Sequence, residues 1–568
     1  MNLKIDTSTF GAWWSGVVDT PWSFTSLAFW GFFLIVLVIH SGLEQRQVLR
    51  NAFLFVASLW FYWKTSGWFF LLLLFTTITG YGVGKKIDRT VGRQQRVWLG
   101  VGVGLNLVLL LFFKYAYFFA ESFHSLTGLQ ITPRNPIAST ANRLLGTAFE
   151  ADRILLPIGI SFFTFQTISY AVDIYRRQVK PARSIVDYGF FVSFFPQLVA
   201  GPIVRAKDFL PQLERPSVIS RTAFGLALFW ILNGLLKKIW LGDGLALMLV
   251  DRVFANPNSY TPLENLWALY GYSLQVYADF SGYTDIAIGL ALLLGFRLPK
   301  NFNSPYKARH LGDFWRRWHM SLSGWLRDYL YIPMGGNRSG STFTWIAFAF
   351  VLIFLILLLP NLGAWMIVAG VGFLWVAAGL QFKGFGRWTV TTINLMLTML
   401  IGGLWHGASW NFVVWGGLNG AGLVVAKFWR KLNPFRGRAP WLGIFLTFHF
   451  VTFTRIWFRS SSTTTWEDLG NQHDLWSEWI SANEMLMALT SPMPWNLTPA
   501  LLAAYVTPLL LLLSGLIIHW LPDNWKRRYR IAFAKSPTWL QWAICLVVGG
   551  ILWERLATGP APFIYFQF

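Results

Sequence analysis

The sequence predicts an all-α protein: a polytopic transmembrane helical bundle of about a dozen spans, with re-entrant or interfacial helices between them. Three observations predict it. Of the 568 residues, 55% are hydrophobic, 18% aromatic and only 13% charged, too little polar side chain to solvate a soluble globule of that size. Apolar runs of roughly 20 residues, the length that crosses the hydrocarbon core, recur along the chain. The runs are continuous rather than alternating with a period of two, and a spanning segment must satisfy its backbone internally, which favours helices over a barrel.

Taken in order, the N-terminal segment 1–22 ends in FGAWWSGVVDTPW, too short and broken to span, and its tryptophans suit the membrane interface. The first long run, near Phe24 to Val38, lacks a basic n-region and a small-residue cleavage site, so it is expected to stay as a span. Further runs fall near 52–63, 67–84, 98–120, 154–172, 187–200, 222–250 and 266–296, then 343–359, 364–379, 389–404, 411–427, 441–458, 500–520 and 538–554. The runs 52–63 and 187–200 are short enough to be re-entrant or paired. Residues 297–342 are basic, aromatic and amphipathic, and are expected to lie on or dip into the membrane. Residues 459–497 are polar and Ser/Thr-rich with few bases, an extracytoplasmic segment, and the chain closes with the aromatic tail PFIYFQF at 562–568. Without internal repeats or low-complexity linkers, 1–568 reads as a single integral-membrane domain.

A net charge of +22 would suggest nucleic acid in a soluble protein. Here the bases cluster in short loops between apolar runs, which is the positive-inside pattern and speaks against a nucleic-acid partner. KKIDRTVGRQQR (85–96), RRQVKPAR (176–183), KFWRKLNPFRGR (427–438) and KRRYR (526–530) therefore mark cytoplasmic loops. The single cysteine, Cys545, excludes an intramolecular disulfide and a Cys-rich metal site. No metal ligand set is expected, and no H-E-x-x-H, Walker A, G-x-S-x-G or dinucleotide fingerprint is present.

Three polar sites inside apolar sequence are candidates for chemistry. His406, in IGGLWHGASW, places an imidazole near apolar depth, where polar groups are usually functional; the plainer reading is interhelical glue, bonded to a carbonyl or to Asn411. Glycines 402, 403, 407, 416, 417 and 420 permit close helix approach or a channel wall. His319 lies in DFWRRWHMSLSGWLRD; on a helix, Trp315, His319 and Leu322 share one stripe, with Arg316 and Arg317 beside it as candidates to hold an anionic acyl donor. The plainer reading there is an interfacial anchor. Asp279 and Asp285 need partners or water in their apolar span; a proton relay is one reading, pairing with an arginine of 297–342 the simpler one. The terminal aromatics by themselves read as an interfacial belt.

Five stretches in order carry a resemblance: FFTFQTISYAVDIYR (162–176), FFPQLVAGPIVR (194–205), YADFSGYTDIAIG (277–289), WRRWHMSLSGWLRDYLYIPMGGNR (315–338) and GLWHGASWNFVVWGGLNG (403–420). Together they resemble the membrane-bound O-acyltransferase family, in particular the membrane subunits of bacterial alginate O-acetylation, with the core motifs in 154–460. The resemblance implies a catalytic histidine matching His406 and a second matching His319. It also implies acetyl-CoA as a donor substrate reached from the cytoplasm, no bound cofactor, and a polysaccharide acceptor on the far side of a bacterial inner membrane, among membrane lipids. A separate periplasmic SGNH-type acetyltransferase is the implied partner. The tail resembles the tyrosine-containing tails of cell-envelope acylation systems, which makes Tyr565 a candidate acyl relay. An acyltransferase of the same family acting on a lipid or protein acceptor is the alternative; a transporter whose histidines gate a solute is a third reading. The longer N-terminal segment and the region 459–497 depart from the alginate-type pattern.

Overall fold

The computed structural model describes residues 22–145, 154–357, 370, 374, 377–378, 381–432, 439–461, 475–557 and 563. The expected N-terminal interfacial segment and Tyr565 lie outside the described residues, as do most of the run 364–379 and part of 459–497. Among the described residues the chain is built from helices with no strand. Six helical stretches are long and apolar enough to cross a membrane, or up to eight if each of two bent pairs crosses as one. The protein is thus a multi-pass helical membrane protein, and these helices are counted among the described residues alone.

The runs 52–63 and 67–84 fall in one continuous stretch, Gln47–Arg89, which turns at Gly67, where φ is 59°. Its two halves come back to one place: Arg50 donates to the carbonyls of Leu213 and Arg215, and the Tyr81 hydroxyl donates to the carbonyl of Arg183. Residues 187–200 form two short helices, Ile185–Ser193 and Phe195–Leu198, packed in the interior.

The axis of the bundle is the 32-residue helix Pro262–Leu293, opened by a capping box of Thr261 and Glu264 and buried along most of its length. Helix Arg221–Leu235 crosses it at glycines. A Cβ on Gly234 would lie 2.5 Å from the Gly282 carbonyl oxygen, and one on Gly282 would lie 2.7 Å from that of Gly234. This close approach corrects the expected pairing of the two aspartates. A π-helical turn, Leu236–Gly242, extends the crossing helix and carries two adjacent lysines to them. Lys237 binds Asp285 at 2.7 Å, and Lys238 binds Asp279 at 2.5 Å and Asp243 at 2.8 Å. The arginines near 316 are held elsewhere, Arg317 by Asp313 at 3.2 Å.

The segment 297–342 is tied to the basic loops. Lys307 meets Asp523, Lys526 donates to Ser304, Lys427 to Asn337, and Arg176 to the carbonyl of Asp328. These links put it on the face that carries the basic loops, while its middle is buried in the bundle.

Candidate active site

The short helix Leu311–Phe314 ends in turns, and His319 takes a left-handed backbone (φ 43°, ψ 55°) before helix Met320–Leu326 begins. The expected helical stripe of Trp315, His319 and Leu322 therefore does not form. The chain instead folds back on residues 301–303, with Met320 N–H donating to the Asn301 carbonyl and Asn303 N–H to that of Arg317, each at 2.9 Å. A left-handed conformation is uncommon outside glycine, and here it turns the imidazole inward.

The Asn301 side chain sets the His319 tautomer. Its Oδ1 accepts from Ser321 N–H at 3.1 Å and from the Ser321 hydroxyl at 2.9 Å, and lies 3.2 Å from His319 Nδ1. A backbone N–H can only donate, so the atom facing His319 is the oxygen. Nδ1 carries the hydrogen, and the basic lone pair falls on Nε2. Burial pushes the His319 imidazole down to about 3, so it is neutral near pH 7.

His406 closes helix Lys383–His406, the first arm of a hairpin whose second arm is Trp410–Leu432. The glycines do what their pattern suggests: Gly403 packs on Phe412, and Gly416 on Met399. The end of the first arm leaves backbone carbonyls without helical partners, and a neighbouring helix satisfies three of them. The π-helical turn Leu111–Tyr115 presents adjacent side chains. The Tyr115 hydroxyl donates to the Leu404 carbonyl at 2.6 Å, and Lys114 Nζ donates to those of Trp405 at 2.6 Å and His406 at 3.2 Å.

The two histidines meet. Their ring centroids lie 6.4 Å apart, and both are buried, at 0% exposure for His319 and 2% for His406. Trp405 lies against both, at 5.7 Å and 5.0 Å, while Phe280 packs on His319 at 4.7 Å. Trp415 and Phe458 pack on His406 at 5.1 Å and 5.3 Å. With ring nitrogens little more than an ångström from their centroids, no pair of nitrogens across the two rings comes closer than about 4 Å, beyond a direct hydrogen bond.

Of the other candidates, Arg317 is engaged with Asp313 and the Asn303 carbonyl, and Arg316 is exposed, so neither joins this cluster. Among the described residues no group of His, Cys, Asp or Glu has the arrangement of a metal site. Sequence reading missed Lys114, Asn301 and Arg455. Lys114 and Arg455 carried a legible signal, a lone cation inside an apolar run; Asn301 carried none.

An all-helical multi-pass protein with two imidazoles meeting inside its bundle is the class the fold and site define. The comparison with known proteins makes it specific: residues 59–358, which include His319, match the membrane-bound O-acyltransferase family, and the chain belongs to that family. It is similar to the probable alginate O-acetylase of Pseudomonas aeruginosa, 37% identical over 431 residues, 73% of this chain and 69% of that one. That of Azotobacter vinelandii is 38% identical over 404 residues, 70% and 67% of the two chains. The peptidoglycan O-acetyltransferase of Helicobacter pylori is 31% identical over 479 residues, 78% and 77% of the two chains. The protein is a membrane O-acyltransferase.

Proposed function

We propose that this protein takes acetyl groups from acetyl-CoA on the cytoplasmic side of a bacterial inner membrane and passes them to the far side, for O-acetylation of an exported or cell-wall polysaccharide. The observation that carries the reading is the meeting of His319 and His406, whose ring centroids lie 6.4 Å apart inside the bundle. The relatives' names, alginate O-acetylase and peptidoglycan O-acetyltransferase, support the acetyl donor and the polymer acceptor.

In this scheme His406 is the general base. It takes the proton of an attacking hydroxyl as that oxygen bonds to the thioester carbonyl carbon, then returns it to the departing coenzyme A sulfur when the C–S bond breaks. His319, neutral and with its lone pair on Nε2, orients the hydroxyl. The apolar walls exclude water that would hydrolyse the thioester.

Tyr565 is the proposed first acceptor. Two residues before it, Phe563 stacks on Tyr283 at 4.5 Å and lies 6.2 Å from Phe280, whose ring packs on His319. Phe563 is thus buried in the core, one ring away from His319. An acetyl ester of a phenol, whose pKa is about 10, is activated enough to pass its acyl group onward. A periplasmic SGNH-type transferase would complete delivery to the sugar. The test is mass spectrometry of the C-terminal peptide after incubation with isotopically labelled acetyl-CoA. Label on Tyr565 that is absent in His406→Ala is expected; coenzyme A release with no labelled peptide would remove the relay.

A further inference from the structure

Arg455 is a buried cation that the scheme above leaves without work. It lies in helix Pro440–Ser460 and is 1% exposed. Its Cζ sits 4.5 Å from the Trp318 ring centroid and 5.2 Å from that of Phe458. Trp318 immediately precedes His319, and Phe458 packs on His406, so the guanidinium occupies the place between the neighbours of both histidines.

Two of its three nitrogens are not satisfied by the protein. Nε and Nη1, which together carry three of the five N–H donors of a guanidinium, have no hydrogen-bond partner among the described residues. No described carboxylate forms an ion pair with it. Arg459, one turn further along the same helix, shows the contrast, binding Asp251 at 3.0 Å. The aromatic rings attract the charge through their faces but accept no in-plane N–H bond. A guanidinium cannot shed its proton to escape burial, so a cation at this depth with open donors calls for an oxygen ligand.

We propose that Arg455 binds an anionic oxygen of the substrate, and that this oxygen is the one that becomes negative on the thioester carbonyl. This rests on the acyl-transfer reading. As the acceptor oxygen bonds to the carbonyl carbon and gives its proton to His406, the carbonyl π electrons move onto oxygen, and the Arg455 N–H donors meet that charge. When the carbonyl re-forms, the C–S bond breaks and the sulfur takes the proton back from His406. Donors fixed in advance in a water-poor site are the arrangement that favours such a transition state.

The experiment uses the purified full chain in detergent or nanodiscs. It measures coenzyme A release over a range of acetyl-CoA concentrations for the wild type and for Arg455→Met, Arg455→Gln and Arg455→Lys, with folding checked by size-exclusion profile. The expected result is a kcat about 100-fold lower in Arg455→Met and Arg455→Gln with KM for acetyl-CoA nearly unchanged, and partial recovery in Arg455→Lys. A raised KM with unchanged kcat would keep the anionic ligand but relocate it to a ground-state group, a donor phosphate or an acceptor carboxylate; binding of a non-cleavable thioether analogue of acetyl-CoA and of free acceptor separates those two. Folded variants turning over as the wild type overturn the assignment. So does failure of all three to fold, which would make the guanidinium a structural ion. If the wild type itself releases no coenzyme A, it is the acyl-CoA reading that fails.

Discussion

The imidazoles of His319 and His406 lie 6.4 Å apart, inclined at 68°, although 87 positions separate them in sequence and they enter the core on different supports. One hangs from a left-handed turn pinned by Asn301; the other ends a helix capped by Lys114 and Tyr115. On the proposed scheme, both supports matter as much as the two rings.

Asn301→Leu removes the acceptor that fixes His319 as the Nδ1–H tautomer, together with two bonds to Ser321. Coenzyme A release should fall about tenfold or more, since loss of an orienting partner lets the wrong tautomer form. Asn301→Asp, which keeps an acceptor for the same three donors, should retain more activity than Asn301→Leu. Equal rates in the two variants would refute the role.

Lys114→Met leaves the Trp405 and His406 carbonyls buried without their ammonium donor. The cost should be about 1–3 kcal/mol of stability for each group left unsatisfied. Activity should drop with it, because the end of the His406 helix is released. Thermal unfolding in detergent and the acyl-transfer rate, measured on one preparation, check this; an unchanged rate would show that the cap does not position His406.

Lys237 and Asp285 form a part-buried pair at 2.7 Å, with Asn233 also donating to the carboxylate. Removing one partner strands a part-buried charge, and Lys237→Met or Asp285→Asn should each destabilise by about 1–3 kcal/mol. The double variant should be more stable than the sum of the two predicts. Additive losses in the double-mutant cycle would contradict the pairing.

Burial holds His319 at about 3 against 6.5 for an unfolded histidine. Between those values the unfolded chain binds more protons, so stability rises with pH there. The His319 contribution is complete above about pH 6.5 and is lost as pH falls towards 3. The decline in Tm between pH 7.5 and pH 5 should therefore be smaller in His319→Gln than in the wild type. An identical decline would place His319 in contact with water.

Much of this was legible from composition and motif. The apolar runs gave an all-helical membrane protein, and the ordered motifs gave the family and pointed to His319 and His406 as candidates, which the fold brings together. Span number was not legible, because length and hydropathy cannot tell a span from short interior helices such as Ile185–Ser193 and Phe195–Leu198. Partners of the buried carboxylates were not legible either: they depend on a glycine crossing between helices 221–235 and 262–293 and on a π turn that brings two adjacent lysines to face them. His319 looked helical because its neighbours have helical spacing, yet the pull of Asn301 on the chain outweighs that pattern.

The most direct test of the central claim is coenzyme A release from labelled acetyl-CoA by purified wild type and His406→Ala, both shown to be folded. General-base removal should slow release by about 100-fold to 10,000-fold while donor binding persists. Release by His406→Ala at the wild-type rate would contradict the claim that this imidazole carries the acyl transfer.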